Sequence, residues 1–398
     1  MASTVTRRVW ILSLISLFTD MASEMLYPVM PLYLKHIGFT MAFIGFLEGA
    51  AELTAGISKG YFGQLSDNLQ KRVPFIRWGY ALSAAAKPLT VLFAHPIWVL
   101  FTRTTDRFGK GLRTGARDAL LADECTPQNR GRVFGLHRSM DTLGATLGAL
   151  SAFILLSVEP SNFKNVFLWA ILPGIAAIFM CFLLTESKKT PLNTENKPKT
   201  GFFSYFKYWK TATPQYRKLT AGIILFYLFN TSDVFLLLFL KHKGFSETFI
   251  IGSYILYNAF YALLSYPFGH LSDKIGFKKV YIAGLACFAI TYALLPFAAN
   301  YWHIIVLFLI YGAFSALTDG ISKAWMSHLC QPHEKATAYG FLGSSISIAL
   351  VIANTLIGFL WDTINPNAAI LLSAIGAVCC IFYFFRLVEN TQPANNNH

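Results

Sequence analysis

Twelve runs of largely apolar residues, each near the ~20 residues that a membrane-crossing helix requires, leave this chain few choices of fold. They occupy residues 10–35, 42–66, 73–94, 96–121, 132–157, 166–185, 219–240, 249–272, 280–298, 302–328, 337–361 and 368–387. Inside lipid every backbone N–H and C=O needs an internal partner, so runs of this length are helices. The expectation is an all-α membrane protein with twelve transmembrane helices. Composition agrees: 55% of the 398 residues are hydrophobic and 13% are charged, about half the charge of an ordinary soluble protein. The opening "TRRVWILSLISLF" imitates a signal peptide, but no small-residue cleavage site follows it. Asp20 and Glu24 come next, then more apolar sequence, so it reads as a retained first helix.

The net charge of +13 has a topological explanation that needs no nucleic acid. Arg7, Arg8, Lys71, Arg72, Arg130, the basic cluster at 188–218, Lys274, Lys278 and Lys279 fall on one side. Lys35, Lys164, Lys241 and Lys243 fall on the other. The positive-inside rule makes the first side cytoplasmic and puts both termini there. The expected location is a bacterial inner membrane. The six cysteines form no C-x-x-C pair and sit mostly in apolar runs, as small buried residues do. Neither a metal site nor a cofactor is expected. There is no GxxxxGK[ST] loop and no HExxH, which argues against ATP-driven transport and against a zinc-dependent enzyme.

The polar, basic stretch "ESKKTPLNTENKPKTGFFSYFKYWKTATPQYRK" divides the apolar runs six and six. The expected organisation is an N-terminal half at 1–186, a cytoplasmic linker at 187–217 and a C-terminal half at 218–398. "FFSYFKYWK" reads as an amphipathic helix on the membrane surface. The halves echo each other. "GQLSDNLQKR" at Gly63 returns as "GHLSDKIGFKK" at Gly269, 206 residues later. "TPQNRGRVFG", ending at Gly135, returns as "QPHEKATAYG", ending at Gly340, 205 residues later. Two motif pairs in one register imply parallel six-helix repeats about the membrane normal.

The duplicated G-x-L-S-D loop, between the second and third helices and again between the eighth and ninth, resembles the signature loop of the major facilitator superfamily. "SLFTDMASEMLYPVMPLYL", "DRFGKGLRTGARDALLAD" and "FGLHRSMDTLGATLG" resemble a bacterial branch of that superfamily. The resemblance implies that the first and fourth helices line a central cavity, flanked by the second and fifth.

The loop also has a physical reading. Gly63 permits close helix approach, Asp67 suits a neighbouring helix N-terminus, and Lys71 and Arg72 suit carboxylates on a partner element. With Asp273 in the second copy, and Arg113 and Arg117 near the same surface, these residues are expected to latch the halves together.

Charge within the apolar runs is costly and points to function by default. Asp20 and Glu24 share a face of the first helix, Glu48 and Glu52 of the second, and Arg103 and Arg107 of the fourth. Carboxylates in the membrane suit proton coupling, with Asp20, Glu24 and Glu52 as candidates; sodium is the alternative ion. Arg103, Asp106, Arg107, Arg138 and Asp141, with Asn230, Tyr257, Asn258 and Tyr261 from the second half, form the candidate substrate site. Arginine binds carboxylate or phosphate in a planar fork. The competing reading makes the same charges an internal salt-bridge network, with Asp319 paired to Lys323 four residues on. The expected function is a monomeric secondary transporter of a small polar organic anion or zwitterion, such as a polycarboxylate or siderophore-like solute. It would work by alternating access with a proton gradient. A multidrug exporter and a transport-like membrane receptor are the alternatives.

Overall fold

A computed structural model describes residues 5–27, 29–30, 33–34, 37–39, 41–159, 162–186 and 201–387. Among them the chain forms helices and no strands. The N-terminal half contains α1 (Arg7–Leu26), α2 (Met41–Leu69), α3 (Val73–Leu89), α4 (Pro96–Asp123), α5 (Arg130–Val158) and α6 (Phe163–Phe182, with a turn at Ala170). The C-terminal half contains α7 (Pro214–Tyr227), α8 (Asp233–His242), α9 (Glu247–Ile275), α10 (Phe277–Leu294), α11 (Tyr301–Leu329), α12 (Lys335–Thr363) and α13 (Pro366–Arg386).

Among the described residues eight helices are long and apolar enough to cross a membrane: α1, α5, α6, α9, α10 with its following turn, α11, α12 and α13. The other apolar runs depart from the sequence expectation in instructive ways. α2 and α4 are long but carry many charges. α3 has 17 residues. The seventh run is one segment by sequence, yet it breaks at Asn230 and Thr231 into α7 and α8. Ser232 then caps α8, accepting a hydrogen bond from the Val234 N–H. In the linker, residues 187–200 lie outside the described part. "FFSYFKYWK" becomes a short 3-10 turn, Ser204–Lys207, running into Tyr208–Thr211. Phe202, Phe203 and Phe206 are exposed, whereas Tyr205 and Tyr208 are buried against the protein.

Within the first half α1 packs on α5 and α6, and α4 on α2 and α3; within the second, α11 packs on α9 and α10. The halves meet through α2 against α12 and α5 against α9. A single apolar core joins both halves at the end carrying the duplicated loops, from Val9, Ile76 and Leu120 to Tyr216, Trp325 and Phe341. At the opposite end the first half has its own cluster, built on Met25, Leu26, Leu47, Val99 and Phe167. The halves are therefore joined at the motif face and separately packed at the other.

Glycines register the same asymmetry along one helix. A methyl at Gly63 of α2 would overlap the Ala336 carbonyl of α12, whereas at Gly49 nothing lies within 4 Å. Gly63→Ala is expected to destabilise by about 1–3 kcal/mol, as overpacking does. Gly49→Ala is expected to be neutral or slightly stabilising, because alanine is the better helix former. Melting temperatures of the two variants in detergent test the pair, and an equal drop in both would contradict it.

Candidate functional site

At the motif face the two G-x-L-S-D loops do the same thing to opposite partners. Asp67 Oδ2 accepts from the Thr337 N–H at 2.6 Å and the Thr337 hydroxyl at 2.7 Å, in the first turn of α12. Asp273 accepts from the N–H groups of Gly131 at 2.7 Å and Arg132 at 2.9 Å, in the first turn of α5. Each carboxylate satisfies orphan donors at a helix N-terminus and sits at its positive end. Gly63 faces Gly340, and Gly269 faces Gly135, so the two sequence repeats are in contact across the halves.

The rest of the latch is asymmetric. Arg72 makes a close ionic contact with Asp67, 2.5 Å, not aligned as a hydrogen bond, and lies 4.0 Å from Asp123. Asp123 also binds Lys335 of α12 at 3.0 Å. Around Asp273 the charged side chains meet imidazoles instead: Arg132 and His270 at 3.0 Å, Arg130 and His328 at 2.6 Å. Three expectations need correction. Lys71 is exposed and contributes only backbone, because the turn after Asp67 directs Arg72 inward. Arg113 lies away from the latch, between α3 and α4, donating to Ser83 at 2.8 Å and stacking over Tyr80. Lys323 does not pair with Asp319; it reaches Asp118 at 2.8 Å, which Arg117 also holds at 3.0 Å.

Deeper in the helices the charges divide into paired and unpaired. Arg103 binds Glu48 of α2 at 2.5 Å, and Asp106 lies 3.5 Å from Lys87 of α3 and 3.9 Å from Arg103. These two candidate substrate residues therefore tie α4 to its neighbours. Arg138 of α5 joins the halves. It binds Asp141 at 2.6 Å and Asp319 of α11 at 2.7 Å, and donates to the Tyr261 hydroxyl, which itself donates to Asp319 at 2.6 Å. Asp141 also accepts from Ser16 and faces Asp20 of α1.

The unpaired set lies on α1, α2 and α4, within the field of Asp233 at the start of α8. The Arg107 Nε and the Glu24 Oε2 are both buried with no hydrogen-bond partner among the described residues. Glu52 and Lys110 close no side-chain hydrogen bond or ion pair among the described residues. They are nonetheless neighbours. Glu24 lies in the field of Lys110, Arg107 and Asp233, and Glu52 in that of Lys59, Lys110 and Arg107. From the second half, Asn230 is buried with its Oδ1 unpartnered at the α7–α8 break. Asn258, by contrast, donates back to Tyr254 O at 3.0 Å within α9. Tyr257 is turned toward Asp233. Lys110, Asp233 and Tyr311 were not singled out as site residues from sequence. Lys110 lies three positions after Arg107, on one helical face with it, and that spacing was the available signal.

Asp67→Asn is expected to weaken the latch strongly, since removing one partner of a buried ion pair costs about 3–5 kcal/mol. Thiol labelling of a single cysteine placed at Ser344, in a cysteine-free background, should rise from the motif face. Unchanged labelling would contradict the latch.

Comparison with known proteins adds the lineage. A family model described as "Major Facilitator Superfamily" matches residues 12–256 and 253–398. The chain is 30% identical over 380 residues to an uncharacterized MFS-type transporter of Methanocaldococcus jannaschii, covering 94% of this chain and 93% of that one. Among solved structures it resembles the human organic anion transporter MFSD10 (TETRAN), with TM-score 0.80, 16% identity and coverage of 95% and 99%. It also resembles a bacterial homologue of the iron transporter ferroportin in an outward-facing state, with TM-score 0.74, 14% identity and coverage of 96% and 99%. Likeness at this identity establishes shared fold.

Proposed function

The chain belongs to the Major Facilitator Superfamily, and on that footing we propose that it is a proton-coupled secondary transporter of a small polar organic solute that is anionic or zwitterionic. As a multi-pass membrane protein of that family, it acts in membrane transport on small molecules. The finer reading rests on one observation: Arg107 and Lys110, in the field of Glu24 and Glu52, close no ion pair among the described residues. A cation left without an ion pair where a solute must pass is suited to bind an anionic group, and a guanidinium does so through a planar fork of donors.

In this reading all twelve apolar runs cross the membrane, including charged α2 and α4 and the broken α7–α8 segment. Their charges face other helices or the central space. The motif face is cytoplasmic, as the basic residues around it favour. The joined motif face and separate opposite ends then describe an outward-open state, closed inside by the Asp67 and Asp273 contacts. Switching to the inward-open state requires those caps, and the Arg138 bridge to Asp319, to release.

Proton coupling is assigned to Asp20, with Glu24 and Glu52 as neighbours. Two carboxyls that face each other, Asp20 and Asp141, are best accommodated by sharing a proton. Losing that proton strengthens the competition for Arg138, which also holds Asp319 in the other half. Protonation is thereby connected to the bridge that spans the halves. The protein works as a monomer in a bacterial inner membrane.

A proteoliposome screen of organic anions, with and without an imposed pH gradient, tests the function; uptake of none would overturn the anionic reading. Asp20→Asn is expected to abolish gradient-driven accumulation while retaining counterflow exchange. Accumulation by this variant would remove Asp20 from the coupling role. Arg107→Lys is expected to weaken binding of the transported solute by roughly ten- to a hundred-fold, the worth of one lost charge-assisted hydrogen bond. Arg103→Lys is expected to lower the melting temperature and leave affinity near wild type, because Arg103 is spent on Glu48. Titrations on both purified variants distinguish them.

A further inference from the structure

The geometry points to a bipolar ligand: we infer that the solute is a zwitterion, held with its anionic end at Arg107 and Lys110 and its ammonium end at Glu24 and Asp233 beside a wall of tyrosines. The inference rests on the reading of Arg107 as a ligand group and adds the second pole. Elsewhere in the first half the deep charges have found each other, as Arg103 with Glu48 and Lys87 with Asp106. Around Glu24, Arg107 and Lys110 they have not, among the described residues. Glu24 is close enough to feel Lys110 and Arg107, yet its buried Oε2 has no partner, and neither has the Arg107 Nε. Opposite charges that lie in each other's field and still close no bond fit a molecule carrying both complementary charges, one at each end.

The second half completes the cation-accepting pole. Asp233 stands at the first turn of α8 and accepts from the Tyr311 hydroxyl at 2.7 Å and the Tyr257 hydroxyl at 3.3 Å. These bonds fix its carboxylate and leave lone pairs for a further donor. The Tyr257 ring lies 5.0 Å from Tyr311 and 5.8 Å from Tyr254, centroid to centroid. Aromatic faces beside carboxylates favour an alkylammonium group. A solute with two anionic ends would set one against Glu24 and Asp233. One with two cationic ends would set one against Arg107 and Lys110. A single molecule of opposite ends meets neither penalty, and it touches α1 and α4 of one half and α8 of the other.

The test uses the full-length protein in detergent and three probes on one five-carbon chain: 5-aminopentanoate, glutarate and 1,5-diaminopentane. The expected result is a concentration-dependent rise in melting temperature with 5-aminopentanoate, at least about tenfold tighter than with either symmetric probe. Glu24→Gln should remove that preference while leaving glutarate binding equal or stronger. Glutarate binding the wild type as tightly as 5-aminopentanoate, and losing affinity in Arg107→Lys, overturns the zwitterion and leaves the anion site standing. Diaminopentane binding best overturns both. No stabilisation by any of the three at millimolar concentration overturns the zwitterion inference, with the anion screen deciding the broader reading. The ranking on the wild type decides the matter even if Glu24→Gln fails to fold.

Discussion

The exchange of helix caps between the halves holds this molecule in its present shape. Asp67 of the first half closes the N-terminus of α12 in the second, and Asp273 of the second closes α5 in the first. The glycines beside them allow backbones to approach until no side chain fits between. The strength of the arrangement comes from context. An orphan N–H away from water is expensive, and a carboxylate on it is stabilised by the helix dipole as well as by hydrogen bonding. Everything at the opposite end, where the first half packs on its own cluster, follows from the joint being made at one face.

Charge on α4 is then understandable as two populations with different uses. Arg103, Asp106, Arg113 and Arg117 spend themselves on Glu48, Lys87, Ser83 and Asp118. They position the helix among neighbours where burial of an unpaired ion would be prohibitive. Arg107 and Lys110 are held in place by that scaffold and are left open. A helix so polar cannot rely on lipid to hold it, and the helices it packs on, α2 and α3, are likewise outside the set long and apolar enough to cross a membrane by themselves. The paired ions supply the positioning, and the unpaired ones are the groups proposed to meet the solute.

Much of this was legible in the chain itself. The 206- and 205-residue offsets revealed the repeated motifs, and the structure sets each loop copy against the other motif in the opposite half. The capping role of Asp67 followed from helix electrostatics alone. Pairings between helices did not follow. Helical spacing suggested Asp319 with Lys323, whereas Asp319 goes to Arg138 and Lys323 to Asp118. Periodicity shows which residues share a face, but not what the next helix presents to it. The break between α7 and α8 was hidden for a related reason: Asn230 and Thr231 sit in a run whose average apolarity overwhelms them. Asp233 owes its setting to that break.

The crossed caps also bear on how the protein is made. The first half leaves the ribosome before the second exists, and domains of this size tend to fold in the order of synthesis. During that interval Asp67 lacks the Thr337 donors and the N-terminus of α5 lacks Asp273. The first half must therefore wait in the bilayer with both halves of its joint exposed at the surface, where water satisfies what the chain cannot yet supply. Docking of the second half removes two sets of unfilled valences at once, so assembly is cooperative and neither half, produced alone, has a complete surface.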